Sequence, residues 1–275
     1  MKRIRIIGML MFLFISCQSN EDIQETWDVA VSRTVTNGEN ILVVGKKNSN
    51  EQLRGILIPS TNENATAQWQ GNTPVWPGTD ELEMFILSPV PSNGMLPLRV
   101  SVNDSKIWMV DYLPSTYKPN KFTLEHLMAK LQVHIRISNN SNHEKPLNTK
   151  MALHTEADID YPNKALKNLS GKSNYNVPIG NFTEDETDNW VSEELLILPQ
   201  TLEGGRKCLS FTISEGNEYT FTPDVDLKLL PGKINHLYLG VAFDQLDAIL
   251  IGNGTRITDW NNGESNSGEA VENES

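Results

Sequence analysis

A strict alternation of apolar and polar residues over positions 131–137 constrains the fold more than any other stretch of the sequence. Its apolar side chains occupy every second position, so they share one face of an extended strand, which predicts a half-buried strand. Short apolar runs recur along the chain, separated about every ten residues by turn signals such as Asn37-Gly38, Pro77-Gly78 and Asn103-Asp104. This rhythm predicts an all-β fold of sandwiches or barrels.

One segment departs from the period of a strand. The spacing i, i+3, i+4 and i+7, which marks one face of a helix, is found at Leu124, Leu127, Met128 and Leu131. Thr123 precedes these residues as a candidate N-cap. We therefore predict a short helical turn that leads into the strand over positions 131–137.

The length of the chain and a polar interval near its middle predict two domains. The chain has 275 residues, enough for two domains of ordinary size, and positions 138–146 contain only polar residues and Pro146. We predict a β-sandwich over residues 27–140, a linker over 141–147 and a second β-sandwich over 148–262. Residues 263–275 carry four glutamates and no basic residue, which predicts a disordered acidic tail.

The first residues have the layout of a secretory leader. Three cations, Lys2, Arg3 and Arg5, precede an apolar run over 6–15 that is too short to span a membrane comfortably. The pair Ser16-Cys17 resembles the lipobox of bacterial lipoproteins, in which cleavage leaves an acylated cysteine at the new N-terminus, although Phe14 stands where leucine is usual. The sequence thus predicts a signal peptide over 1–16 and lipidation at Cys17; an ordinary signal peptide with an incidental cysteine is the alternative.

The segment that follows indicates where such a lipoprotein would be sent. Residues 17–26 form a polar, acidic lead that resembles the export signal of surface lipoproteins of Gram-negative bacteria. We therefore predict a protein that a lipid anchor tethers to the outer membrane, on the cell surface.

Charge and cysteine content exclude several other classes of protein. The formal net charge is −12, and removal of Lys2, Arg3 and Arg5 with the leader takes it to −15. Such a surface repels nucleic acid, so no nucleic-acid partner is expected. The chain has two cysteines, and lipidation of the first would exclude a disulfide framework; Cys208 lies in an alternating stretch and is predicted to be buried.

The sequence carries no motif that indicates catalysis, so neither an enzyme nor a cofactor is predicted. It lacks a nucleophile elbow, a phosphate-binding glycine loop and a zinc-binding histidine pair on a helix. His126 and His134 would not share a face, so no metal site is predicted. The acidic cluster at 184–188 lacks the alternating ligands and the glycine of a calcium loop, which favours a solvated loop.

Tryptophans give the chain one alternative binding chemistry. Indole rings can stack on sugars, although in small sandwiches they are more often core residues. The candidates are Trp69, Trp76, Trp108 and Trp190. A coplanar, exposed pair would support glycan binding, whereas burial would remove its motivation.

Five short motifs in order resemble the fimbrillin family over nearly the whole mature chain. The first two resemble its first domain: Trp76-Pro77 with the run over 82–91, and Phe122, His126, Ala129, Lys130 and Leu131 leading into a strand. The other three resemble its second domain: Leu198-Pro199-Gln200; Leu229, Pro231-Gly232-Lys233 and Leu237; and Ile257 with Asp259-Trp260.

The resemblance implies two tandem transthyretin-like β-sandwich domains in a subunit of a type V pilus. Its partners would be other fimbrial subunits and, at a surface, a receptor or a glycan. In this family an Arg-specific protease removes the first strand of many subunits, and a strand of the next subunit fills the groove; Arg33-Thr34 resembles that cleavage point. The odd positions from Trp27 to Val35 are mostly apolar, broken by Arg33, which predicts a strand with one apolar face that would plug such a groove. The alternative is that Arg33 only points outward from an edge strand and discourages aggregation.

The end of the chain bears on which kind of subunit this is. A stalk subunit must donate a C-terminal strand, but the residues after Trp260 show no apolar alternation. This favours a tip, accessory or terminal subunit, unless the last sandwich strand itself is released and donated. A surface glycan-binding lipoprotein is the competing hypothesis.

Overall fold

The computed structural model describes residues 27–32, 39–60, 66–78, 81–138, 144–183, 189–213, 217–242 and 247–260. Within these ranges the fold is all-β, as the sequence predicts, with two curled sheets that form sandwich-like domains. The same ranges contain no α-helix. The strands of the first half are β1 (Val29–Val31), β2 (Ile41–Lys47), β3 (Asn50–Ile58), β4 (Thr66–Trp69), β5 (Leu82–Ser88), β6 (Arg99–Ser101), β7 (Met109–Ser115), β8 (Lys121–Phe122), β9 (Glu125–His126) and β10 (Ala129–Ser138).

The second half adds strands up to the last described residues, and a single 3-10 turn, Val102–Asp104, interrupts the described strands of the first half. The remaining strands are β11 (Leu147–Leu153), β12 (Glu156–Asp160), β13 (Ala165–Ser170), β14 (Ser173–Asn176), β15 (Ile179–Thr183), β16 (Asn189–Ser192), β17 (Leu195–Ile197), β18 (Gln200–Leu202), β19 (Leu209–Ile213), β20 (Asn217–Phe221), β21 (Leu227–Leu229), β22 (Lys233–Ala242) and β23 (Asp247–Asp259).

The first sheet has eight strands in the order β8-β1-β4-β3-β2-β5-β7-β9. Strand β5 shows how the sequence builds its inner face, because Leu82, Met84 and Ile86 alternate into the core and are fully buried. Glu83, between the first two of them, is exposed. The period-2 pattern therefore separates the core of this half from solvent.

The second sheet has nine strands along its main path, β14-β11-β19-β20-β23-β22-β10-β16-β15, and β17 also pairs with β10. Strand β10 carries the alternation that predicts a half-buried strand, and Leu131, Val133 and Ile135 are fully buried in the core of this half. It runs parallel to β22 and antiparallel to β16 and β17. The domain division at 141–147 assigns this strand to the first sandwich, but its hydrogen-bonded neighbours all belong to the second sheet.

The helical turn predicted near Leu124 is wrong. The segment is extended, and β9 pairs with β7 through His126 opposite Met109. Its apolar residues are buried in three different places: Leu124 in the first core, Leu127 in a cluster shared by both halves, and Leu131 in the second core. A helix-like spacing thus arises where an extended chain crosses from one core to the next, because each core buries different residues of it.

The two halves meet through a sheet and a shared core. Strand β6 of the first half pairs antiparallel with β12, with Val100 opposite Ala157, in a three-stranded sheet completed by β13. The shared cluster contains residues from both halves, among them Trp108, Leu198 and Trp260. Continuous hydrogen bonding and apolar packing therefore join the halves across their boundary.

An ion-pair network supports this contact from the side. Lys164, in the turn between β12 and β13, lies 2.8 Å from carboxylate oxygens of both Asp111 and Glu125. The Asp111 side chain is buried and also accepts a hydrogen bond from the backbone N–H of Thr123 at 2.7 Å. Lys164 therefore compensates a carboxylate that the first half buries.

Candidate strand-exchange groove

Strand β1 lies inside the first sheet, with a hydrogen-bonded neighbour on each side. It runs antiparallel to β4, with Val29 opposite Ala67, and parallel to β8, with Val31 opposite Phe122. On the β8 side, Ala30 donates its N–H to the carbonyl of Asn120 at 2.9 Å. Over Val29–Val31 the segment is therefore not at the edge of the sheet, because the two-residue strand β8 covers its outer side; the interpretation of Arg33 as an edge residue falls outside the described residues.

The side chains of β1 and the preceding residue fill the core of this half. Trp27 and Val29 are buried and Val31 packs against the same cluster, whereas Asp28 between them is exposed. This agrees with the alternation from Trp27 that predicts one apolar face. Removing the segment would open an apolar trench flanked by the unpaired backbone groups of β4 and β8.

Trp27 occupies a socket built from aromatic rings and one backbone carbonyl. Its indole Nε1 donates a hydrogen bond to the carbonyl of the buried Pro119 at 2.7 Å. Its ring lies 4.9 Å from that of Trp69 and 5.7 Å, edge to face, from that of Trp76. Trp69 in turn donates its Nε1–H to the backbone carbonyl of Trp27 at 2.8 Å, so both the ring and the main chain of Trp27 are held.

A glycine in β3 makes room for the socket. A Cβ atom on Gly55 would lie 2.5 Å from the ring of Trp69 and 2.5 Å from Pro74, closer than real contacts allow. Trp69 therefore packs directly over the main chain of β3 at Gly55, two residues before Leu57, which is its partner in the strand pairing. The absence of a side chain at position 55 lets Trp69 reach Trp27.

The predicted processing and lipidation residues, Arg33, Thr34 and Cys17, lie outside the described residues, as do the acidic cluster at 184–188 and the tail. Within the described ranges no helix has the length and apolar character that a membrane span requires. The same ranges hold no group of three or more metal-ligating side chains.

The structure brings together two histidines that the sequence analysis does not pair. His134 on β10 comes next to His236 on β22, with His134 Nε2 3.2 Å from His236 Nδ1, and the pair was not foreseen because the two residues are far apart in sequence. Burial, aided by Arg256, lowers the pKa of His236. A pattern of parallel strand pairing, which local periodicity does not reveal, would have been needed to find this pair.

Cys208 has the environment of a structural residue. It is a free thiol and buried, as predicted, and burial raises its pKa to about 12. A thiol held protonated in this way is a poor nucleophile and a poor metal ligand.

All six tryptophans fall within the described residues, and none is exposed. Trp108 is buried, whereas Trp69, Trp76 and Trp190 are half-buried and pack against cores. The coplanar exposed pair that would support sugar stacking is not formed by these residues. The tryptophans act in the packing of the sandwiches and in the socket around Trp27.

Comparison with known proteins places this geometry in a family. The model of the fimbrillin-like family matches residues 19–260. Among solved structures, a candidate cell adhesion protein from Bacteroides uniformis has a TM-score of 0.54 at 12% identity, over 85% of this chain and 98% of that chain. A second from Bacteroides ovatus has a TM-score of 0.52 at 15% identity, over 82% of this chain and 89% of that chain.

At these identities the likeness to solved structures shows the fold, and no curated protein matches the chain significantly in sequence. The family match covers both sandwiches and the socket around Trp27, and it spans most of the chain. The protein therefore belongs to the fimbrillin-like family.

Proposed function

We propose that this protein is a non-catalytic fimbrial subunit, or an accessory or tip protein, that accepts a strand from another subunit after cleavage between Arg33 and Thr34. It is exported as an outer-membrane lipoprotein through acylation of Cys17 and serves adhesion at the cell surface. Membership of the fimbrillin-like family supports the fimbrial assignment. Other fimbrial subunits are its partners.

The observation that carries the proposal is the position of β1. Backbone hydrogen bonds pair it with both neighbours, and Trp27, Val29 and Val31 close the core. A cut after Arg33 detaches this segment from the rest of the chain covalently but leaves the groove intact. An added strand then restores the hydrogen bonds and the apolar contacts together.

The energetics favour exchange over permanent loss. Burial of the three apolar side chains contributes on the order of 5 kcal/mol, a large part of the stability of a domain. A protein that has lost the segment therefore has a strong preference for any strand that fits. Glycan binding gains no comparable support, since the tryptophans that motivated it are buried or half-buried and pack against the cores.

Limited digestion with an Arg-specific protease tests the proposal. We expect cleavage of purified protein after Arg33, a lower melting temperature once the released segment dissociates, and recovery with a synthetic peptide copying residues 27–33. Arg33→Lys is the matched control, because it keeps the charge and removes the cleavage site. Resistance of Arg33-Thr34 in the folded protein, or a cut form that melts unchanged and ignores the peptide, would overturn strand acceptance.

A further inference from the structure

We infer that the groove around β1 selects its incoming strand by a tryptophan at the place of Trp27, followed by β-branched residues two and four positions later. The inference rests on the proposed function, since it concerns which strand the groove accepts. The partner is an extended segment of a different subunit, with the pattern Trp-x-Val-x-Val or with other β-branched residues in place of the valines.

The hydrogen bond to Pro119 discriminates between aromatic residues. The acceptor carbonyl belongs to a buried residue, and the indole N–H reaches it at 2.7 Å. Phenylalanine fills much of the same volume but has no donor, so it would leave that carbonyl without its partner. A strand with phenylalanine at this place therefore binds more weakly than one with tryptophan.

The aromatic walls discriminate against aliphatic residues. Trp69 and Trp76 meet the ring of Trp27 at 42° and 89°, so the socket is shaped for a flat ring with one face and one edge in contact. Leucine lacks both the area and the ring geometry of such aromatic contacts. It leaves part of the socket empty, and unfilled volume is destabilising.

The positions after the tryptophan fix the register of the strand. Val29 is fully buried opposite the small Ala67, and Val31 pairs with the fully buried Phe122. A strand that slips by one residue would turn these side chains outward and bring polar ones such as Asp28 into the core. The socket and the two apolar positions therefore require that three alternate residues of the donor strand fit buried sites in this groove.

A second copy of this chain is a poor source of such a strand. Of the six tryptophans in the sequence, only Trp27 and Trp108 have apolar residues both two and four positions later. Trp108 is itself buried, and the strand that follows it, β7, is paired on both sides within the first sheet. A copy could offer only its own N-terminal segment, so a chain is required that carries the pattern elsewhere.

The test uses the full chain with residues 33–38 replaced by the recognition site of a site-specific protease. After cleavage, the N-terminal fragment is removed in denaturant, and the protein is refolded with fluorescent peptides copying residues 26–33. The peptides are the natural sequence, Trp27→Phe, Trp27→Leu and, as a matched control at an exposed position, Asp28→Asn. Binding is measured by anisotropy, and capture by the folded nicked protein is followed without denaturant as a second measurement.

We expect the natural and Asp28→Asn peptides to bind alike, the Trp27→Phe peptide about tenfold more weakly and the Trp27→Leu peptide about a hundredfold more weakly. Trp76→Ala in the nicked protein should weaken the natural peptide much more than the leucine peptide. If all four peptides bind equally, the selectivity is overturned and strand acceptance stands. If even the natural peptide is not bound in either measurement, strand acceptance and the inference both fail.

Discussion

The imidazole of His126 lies flat against the indole of Trp260, with ring centroids 4.4 Å apart and 9° between the planes. The contact joins the residues just before β10 to the end of β23, and Lys130 Nζ lies 4.6 Å from the centroid of the Trp260 ring. Neither ring nitrogen of His126 has a hydrogen-bond partner within the described ranges. Burial, with Lys130 as a secondary cause, therefore lowers the pKa of His126 to about 4.

This pKa predicts a loss of stability in mild acid. Above pH 6.5 His126 is neutral in both the folded and the unfolded protein, so it contributes no pH dependence. Between pH 6.5 and about 4 the unfolded chain binds a proton that the folded protein does not, so the free energy of unfolding falls. We expect a loss of about 2 kcal/mol between pH 7.5 and pH 5, measured by guanidinium denaturation.

The variant His126→Phe provides the control for that measurement, because phenylalanine keeps a flat ring against Trp260 and does not titrate. Its pH dependence should be smaller than that of the natural protein over the same interval. A residual slope is expected, because His236 also has a lowered pKa and acts with the same sign. Identical slopes in the two proteins would contradict the assignment to His126.

The close approach of Trp69 to the main chain at Gly55 predicts a sharp effect of one methyl group. Gly55→Ala forces Trp69 or Pro74 to move from a distance of 2.5 Å, and overpacking of this kind costs about 1–3 kcal/mol. Gly180→Ala is the matched control, because that strand glycine has only a carbonyl oxygen at 3.9 Å from the added atom. Chemical denaturation should show a destabilised first variant and a nearly unchanged control.

Lys164 predicts a coupling between the two halves. Lys164→Met leaves the buried Asp111 carboxylate without its cation, and we expect a loss of about 2–3 kcal/mol. Adding Asp111→Asn should recover part of it, because no buried charge then remains. Lys167→Met is the control, because it removes an exposed ion pair with Asp160 and should change stability by less than about 0.5 kcal/mol. If the effects of the substitutions at positions 164 and 111 are additive, the coupling is disproved.

If Cys17 is lipidated, replacing its sulfur with oxygen should abolish the attachment of the protein to membranes. Cys17→Ser should release the protein from membranes into the soluble fraction, because the hydroxyl cannot form the thioether-linked lipid anchor. Mass spectrometry of the native N-terminus provides the direct measurement. An unacylated natural protein, together with a variant that stays bound to membranes, would refute the lipoprotein assignment.

Local patterns predicted the strands but not their neighbours. Alternation identified the buried face of β10 and the segment from Trp27, because side-chain direction in a strand follows sequence alone. It could not show that β10 pairs in parallel with β22, since partners about a hundred residues apart leave no local pattern. The helical turn was predicted wrongly for a related reason. Leu124 and Leu127 are buried in two different cores, and their apolar character indicates burial without indicating in which core.

The groove was foreseen in part. The sequence predicted the apolar face of the segment that contains β1. It could not predict that β1 is paired on both sides, because β8 has only two residues and leaves no periodic pattern. The socket also depends on distant residues, because Trp69 and the carbonyl of Pro119 meet Trp27 only in the folded sheet.

The mixed pairing of β1 gives the site a polarity. A replacement strand that restores both ladders, with residues opposite Ala67 and Phe122 as now, must run in the chain direction of β1, antiparallel to β4 and parallel to β8. A donor that gives one strand to this groove uses a different surface from the one that the acceptor presents, so this contact is heterologous. The direction of β1 therefore fixes how a donor chain enters this protein, and the order of the two subunits follows from which of them carries the groove.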